Sequence, residues 1–503
     1  MALSSGFLDL ARALVRADTV SVNGTALAAD LLQPLYEQAG LSVRRQVVRA
    51  SLDGAPEAGH VNILAGPGGL GGGGGDGAAL ERPSSAPSGG VLLVTHLDTV
   101  PPGPLERWTE TAGDPWALTE KAGTLFGLGC ADVKLDALCK AEAARRLRGR
   151  KLARPFWLLG TFGEEVGLRG ARHFAQSALW DEVRPGQVLC GEPSELALIR
   201  AHKGYAVVRC EIADAKARVV SSSGPGLEEL VFAGKAAHSS TPHLGVNAIH
   251  KALAWARASG APVLSARGGT ATNVVPASCV LLVPAPREAG APSPDQARAL
   301  PPGAPRPNLW RALATAGALE DLWSELLGLL VPPADALFDP PGAVGGLNLL
   351  QSASAELVPG ATHGEARAVA FLDGRLLPEH DPDALLAAFS TRAQAWVERL
   401  GGGELSLKIS VERNASGLSL PEDSPLVRAV SRTLRARGLD GAPRAKPTST
   451  GAGVFARRGA EAIVIGPGRS TGNAHTANER IEVAQLEQAV DLYQALLFEL
   501  CGG

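Results

Sequence analysis

What the 503-residue sequence lacks narrows it before any motif is read. It lacks a charge excess, since 48 Lys and Arg stand against 51 Asp and Glu and leave a net charge of −3. That balance gives no sign of a nucleic-acid or anionic-membrane partner, both of which need a basic surplus. It lacks any uncharged apolar run approaching the roughly 20 residues that cross a bilayer. It lacks a CxxC pair: Cys130, Cys139, Cys190, Cys210, Cys279 and Cys501 are scattered, mostly through apolar runs. That usage predicts reduced, buried thiols in a cytoplasmic protein. The opening "MALSSGFLDLARALVRADTVSVNG" spaces acids and arginines through its apolar residues. It predicts an amphipathic first helix in place of a signal peptide with a basic start and unbroken apolar centre. The single methionine beside 60 glycines reads as the mark of a GC-rich genome more than of a fold.

What is present is a 45% apolar chain long enough for two to three domains. "HVNILAG", "VLLVTHLD" and "PFWLLGTFGEE" are strand-like apolar runs, and "ADVKLDALCKAEAARRLRGR" has helical periodicity. The style returns near the end with "EAIVIGPG" and "VAQLEQAVDLYQALLFEL". This predicts an α/β catalytic domain with a mostly parallel central sheet, built from residues 1–201 and 419–503. Residues 202–418, where "KGYAVVRCEI", "LEELVFAGKAAHSS", "NAIHKALAWARA", "EARAVAFLDGRLLP" and "ELSLKISVER" alternate strand and helix, form an inserted α+β domain. Two Gly/Pro-rich segments interrupt the plan. Residues 66–90 are expected to be a mobile loop, and residues near 284–340 a proline-rich insertion with one helical piece.

Two motif matches lead nowhere firm. "GPGGLG" (Gly66–Gly71) fits a dinucleotide fingerprint but runs into more glycine and not into a helix that could hold a pyrophosphate. "GRSTG" (Gly468–Gly472) fits a nucleophile elbow, yet the only later histidine, His475, sits too close to serve as a triad partner on another loop. A serine hydrolase using Ser470 stands as an alternative of a different class.

The chemistry-bearing residues lie elsewhere. His96 and Asp98 close the apolar run of "VLLVTHLDTVPPG", and side chains two apart on a strand project to one side. "GLGCADVKLD" adds Asp132, "GTFGEEVGLRGA" Glu164 and Glu165, "CGEPSE" Glu192, and "NAHTANE" His475. Most lie at or just after predicted strand ends, and loops at the carboxyl ends of parallel strands converge on one crevice. A mixed His/carboxylate set suits zinc, and two ions can share a bridging carboxylate.

In this order the motifs resemble the dinuclear zinc aminoacylase/carboxypeptidase family, which includes acetylornithine deacetylase, succinyl-diaminopimelate desuccinylase and glutamate carboxypeptidase. They run His-x-Asp, Gly-x-Gly-x-x-Asp, Glu-Glu-x-Gly, Gly-Glu-Pro, Gly-x-x-x-His-Ser-Ser-x-Pro, then a late His. The resemblance spans nearly the whole chain apart from the two insertions, and it implies a ferredoxin-like lid and dimerisation domain. It makes His96 and Glu192 ligands of one metal, Glu165 and His475 ligands of the other, and Asp132 the bridge. It makes Asp98 the acceptor that fixes the His96 tautomer, Glu164 the general base, and His238 an oxyanion donor acting in the partner protomer of a homodimer. "TATNVVP" and "FLDGRLLP" resemble lid strands whose Asn273 and Arg375 would hold the substrate carboxylate. It also implies a cis peptide between Asp132 and Val133.

Two departures stand out: Leu135 follows Lys134 where the family has glycine, and Ala452 stands where an acid is expected near the substrate's polar end. The implied activity is hydrolysis of an N-acyl amino acid or small-peptide amide beside a free carboxylate, with two zinc ions per chain and cobalt or manganese as substitutes. A non-catalytic binding relative predicts lost ligands, and none is lost.

Overall fold

The computed structural model describes residues 3, 5–50, 58–68, 89–220, 226–239, 242–272, 274–285, 293–301, 304–329, 343–354 and 362–502, with backbone alone for 329 and 343–354. The chain divides into two compact units, Met1–His202 with Leu418–Gly503, and Lys203–Gly417. Each has its own apolar core.

The first unit is organised by four parallel strands: Phe156–Thr161, Val91–His96, Gln187–Cys190 and Glu461–Val464, neighbours in that order. Val91–His96 is buried at every position, as expected of a strand covered on both faces. Antiparallel strands extend the sheet beyond both ends of this core, Ala58–Gly66 and Ser42–Ala50 on one side and Ile199–His202 and Leu418–Ser419 on the other. Helices Lys134–Arg146 and Val483–Leu500 bury Leu135, Leu138, Leu486, Val490 and Leu497 in the main core cluster. The register sets the strand ends level: His96 pairs with Thr161, and Val94 with Cys190. The segments that follow therefore leave one edge of the sheet together.

A buried polar cluster holds two of those ends. Asp136 accepts from Thr95 Oγ1 at 2.6 Å and from the Tyr493 hydroxyl, and pairs with Lys140 at 2.5 Å. Lys140 also donates to the Val94 carbonyl at 2.6 Å. Gly191 must be glycine here, because a Cβ would lie 1.9 Å from Asp136 Oδ2.

The second unit is an antiparallel sheet with helices Ala248–Ser259, Trp310–Leu329 and Pro382–Gly401. The long strand Gly204–Val220 pairs with both His363–Leu376 and Leu405–Ala415. Asn247 and Asp381 cap two of the helices through their side-chain oxygens.

Two expectations need correction. The proline-rich stretch holds more than its helix: Gln296–Leu300 is a strand paired with Leu227–Ala233. It is a five-residue edge strand, mostly exposed, whose alternating apolar positions are only Ala297 and Ala299, too slight a signal to be read. "TATNVVP" is not a strand; among its described residues only Val274 bridges, to His238. Residues 69–88 of the expected mobile loop lie outside the described residues, as does Asn273. No helix among the described residues is long and apolar enough to cross a membrane, and all six cysteines are buried and free.

Candidate active site

His96 is the last residue of its strand, Glu164 and Glu165 follow the end of Phe156–Thr161, and Glu192 follows Gln187–Cys190. Asp132 sits in the loop between the short strand Thr124–Phe126 and helix Lys134–Arg146, and its peptide bond to Val133 is cis. His475 lies in the loop after Glu461–Val464 with φ +59°, a left-handed conformation uncommon outside glycine. Pairing of Arg480 with Phe126 joins that loop to the Asp132 loop.

The two oxygens of Asp132 face different histidines. Oδ1 lies 3.1 Å from His96 Nε2, and Oδ2 lies 3.3 Å from His475 Nε2. His475 Nε2 is also 2.9 Å from Glu165 Oε1. His96, Asp132 and Glu165 each offer a ligand atom within 4.8 Å of the others. Glu164 and Glu192 line a small cavity with His96, Thr161 and Cys190. The adjacent glutamates thus diverge, one toward His475 and one into this cavity.

Asp98 behaves differently from the sequence expectation. His96 Nδ1 lies 3.0 Å from the backbone carbonyl of Asp98, while the carboxylate is 3.8 Å away. The carboxylate instead accepts the backbone N–H groups of Glu164 and Glu165 at 3.0 and 3.2 Å, and Ser21 Oγ at 2.7 Å. It is fully buried, and it orients the Glu164–Glu165 bend. The physical reason is that two consecutive N–H groups at a bend need an acceptor, and a carboxylate supplies two oxygens.

The electrostatics follow from this crowding. Burial opposes the charged form of Asp132, but hydrogen bonds from His475 and His96 overcome it and hold its carboxyl far below the usual range. Burial pulls the His96 pKa down, but the Asp132 hydrogen bond and surrounding carboxylates raise it well above the ordinary value. The Glu165 charge, against burial, pushes His475 up to about 11. Burial first, then Glu192, raises Glu164 well above the ordinary carboxyl. Burial lifts Glu192 to about 7, opposed by Lys446, whose ammonium is 3.7 Å away. Carboxylates that compete for so few cations are a donor set suited to a divalent ion.

Glu479, which sequence reading passed over, is buried and accepts the N–H groups of Gly129, Ala131 and Asp132 at 3.1, 2.8 and 2.9 Å. Its only sequence signal is its place four residues after His475 in "NAHTANE".

In the second unit, Arg375 is buried and donates to Ser239 Oγ and, at 2.8 Å, to Asp373 Oδ2, with its guanidinium 5.4 Å from the Tyr205 ring centre. His238 adjoins Ser239 in sequence, so these two candidates share one neighbourhood.

A mostly parallel α/β sheet that gathers two histidines and several carboxylates at its strand ends has the architecture of a metal-dependent hydrolase. The description "Peptidase family M20/M25/M40" matches residues 92–499, and the chain belongs to that family. It is 33% identical over 250 residues to an acetylornithine deacetylase of Yersinia pseudotuberculosis, covering 48% of this chain and 52% of that protein. It is 38% identical over 162 residues to one of Proteus mirabilis, covering 32% and 35%. The chain thus spans about half, or less, of the length of these curated relatives. Among solved structures, the aminoacylhistidine dipeptidase of Vibrio alginolyticus superposes with TM-score 0.61 at 15% identity, over 99% of this chain and 97% of that one. A di-peptidase of Saccharomyces cerevisiae gives 0.57 at 14%, over 99% and 96%. These two establish the fold.

Proposed function

We propose that the chain hydrolyses the amide bond of an N-acyl amino acid or small peptide beside a free carboxylate, using two zinc ions and an activated water. The observation that carries this reading is Asp132, whose two oxygens face His96 and His475 separately, as a carboxylate shared by two ions must. His96 and Glu192 would hold one ion, Glu165 and His475 the other, and cobalt or manganese could substitute. Bound there, such ions would polarise the amide carbonyl and lower the pKa of a water at the site.

The remaining steps belong to the chain's own side chains. Glu164, whose raised proton affinity suits a base working near neutrality, takes the proton as the water oxygen attacks the carbonyl carbon. It then gives that proton to the leaving nitrogen as the C–N bond breaks. Asp98 keeps Glu164 and Glu165 pointing apart. Arg375 and Asn273 would take the substrate's carboxylate. His238 would stabilise the oxyanion in the site of a second copy, which makes the working form a homodimer joined through the inserted lid. Ala452 in place of an acid favours a substrate without a basic amine. The buried free cysteines favour a cytoplasmic setting. The Ser470 alternative loses its histidine, because His475 Nε2 is directed at Glu165 and Asp132.

The test is hydrolysis of a panel of N-acetyl, N-succinyl and dipeptide substrates with added zinc or cobalt, together with metal analysis. About two ions per chain and activity abolished by chelator are expected. Full activity in excess chelator, lost in Ser470→Ala, would overturn the reading.

A further inference from the structure

The loop carrying Asp132 and the loop carrying His475 must be held at a fixed separation if one carboxylate is to address both histidines. Three backbone N–H groups from the first loop, those of Gly129, Ala131 and Asp132, converge on the carboxylate of a residue in the second. The same residue's carbonyl accepts the Gly127 N–H at 3.0 Å. Its own loop is closed by Asn473, which accepts the Arg480 N–H at 2.9 Å and donates to the Arg480 carbonyl at 2.8 Å. A carboxyl group offers two oxygens and can take all three donors at once, whereas a side-chain amide of the same shape offers a single accepting oxygen.

From this we infer that Glu479 is a positioning residue for the metal centre: a two-oxygen clamp that locks the Asp132 loop to the His475 loop and sets the bridging geometry before any ion arrives. Glu479 is not itself a ligand. The inference rests on the two-ion reading above, and it adds a residue whose removal should loosen metal without removing a donor atom.

Glu479→Gln separates clamp from filler. One amide oxygen can still accept from Ala131 and Asp132, but the amide NH₂ then faces the Gly129 N–H. Zinc affinity, read by competition with a chromophoric chelator, should fall about 10–100-fold. The visible spectrum of the cobalt-substituted variant should change, and exchange of the Gly129 amide should accelerate. Glu479→Asp, which keeps both carboxyl oxygens, should recover part of the affinity. Zinc affinity within about twofold of wild type, with an unchanged cobalt spectrum, would overturn the inference. Should the Gln variant fail to fold, amide exchange in the metal-free wild type decides. Protection of Gly129, Ala131 and Asp132 supports a preformed clamp, and free exchange overturns it. A wild-type chain that binds neither zinc nor cobalt would overturn the two-ion reading itself, a result distinct from tight wild-type binding that the Gln variant shares.

Discussion

The two units bury charge in different ways. In the unit of Met1–His202 and Leu418–Gly503, buried charged and histidine side chains gather at one edge of the sheet or directly under it: His96, Asp98, Asp132, Asp136, Lys140, Glu192 and Glu479. In Lys203–Gly417 the core is carried by Phe232, Trp255, Leu319, Trp323 and Phe389, and its buried ionic groups include the pair Asp373 and Arg375. Removing charge from water is expensive unless every group finds a partner. The first unit meets that cost at Asp136 and Lys140 with a complete set of partners, while at Glu164 and Glu192 carboxylates crowd together. The contrast teaches that buried charge is of two kinds, one fully paired that holds strand ends and one crowded by like charge where the candidate site lies.

The comparison can be broken most sharply at Glu164. Glu164→Gln should lower kcat by about 10²–10⁴-fold with metal content unchanged. Burial and the neighbouring Glu192 disfavour its charged form, so the neutral variant should unfold no more easily than wild type when metal-free. A lower unfolding midpoint would place Glu164 with the structural charges.

Lys140→Met tests the other kind. It leaves Asp136 buried with its Thr95 and Tyr493 hydrogen bonds but without its cation. Breaking a buried pair in this way costs about 3–5 kcal/mol, to be read by denaturant unfolding of the metal-free protein. A cost near zero would show that the hydroxyls alone satisfy Asp136.

The smallest effect belongs to the second unit. His250 and Glu320 meet at 2.9 Å, and that hydrogen bond, against burial, raises the histidine pKa above its ordinary 6.5. A raised folded value means the stabilisation is fully present below about pH 6.5 and fades as pH climbs through the folded value. The difference in thermal midpoint between wild type and His250→Gln should therefore be wider at pH 5.5 than at pH 8.5. Equal gaps would make the contact one of packing alone.

Much of this was legible in the sequence, because the strand carrying His96 is an unbroken apolar run and the acids follow apolar runs at short intervals. Periodicity and breaker residues therefore located the strand carrying His96 and the helices Lys134–Arg146 and Val483–Leu500, and motif order pointed to the family. What it could not show was any partner remote in the chain. Asp98 was read as the partner of the His96 ring, but its carboxylate instead takes the N–H groups of Glu164 and Glu165, some 66 positions on. Glu479 showed only its place near His475 and nothing of its role, since its three donors lie 347 to 350 residues earlier. The edge strand Gln296–Leu300, short, mostly exposed and alternating only through alanine, was missed for a related reason: its pairing partner lies far off in the chain. Local order in the chain determined which residues stand at strand ends, because that depends on neighbours in sequence. Which oxygen meets which nitrogen was decided only by the tertiary structure, because hydrogen bonds form by proximity in space, and the register of parallel strands brings together loops that the chain holds far apart.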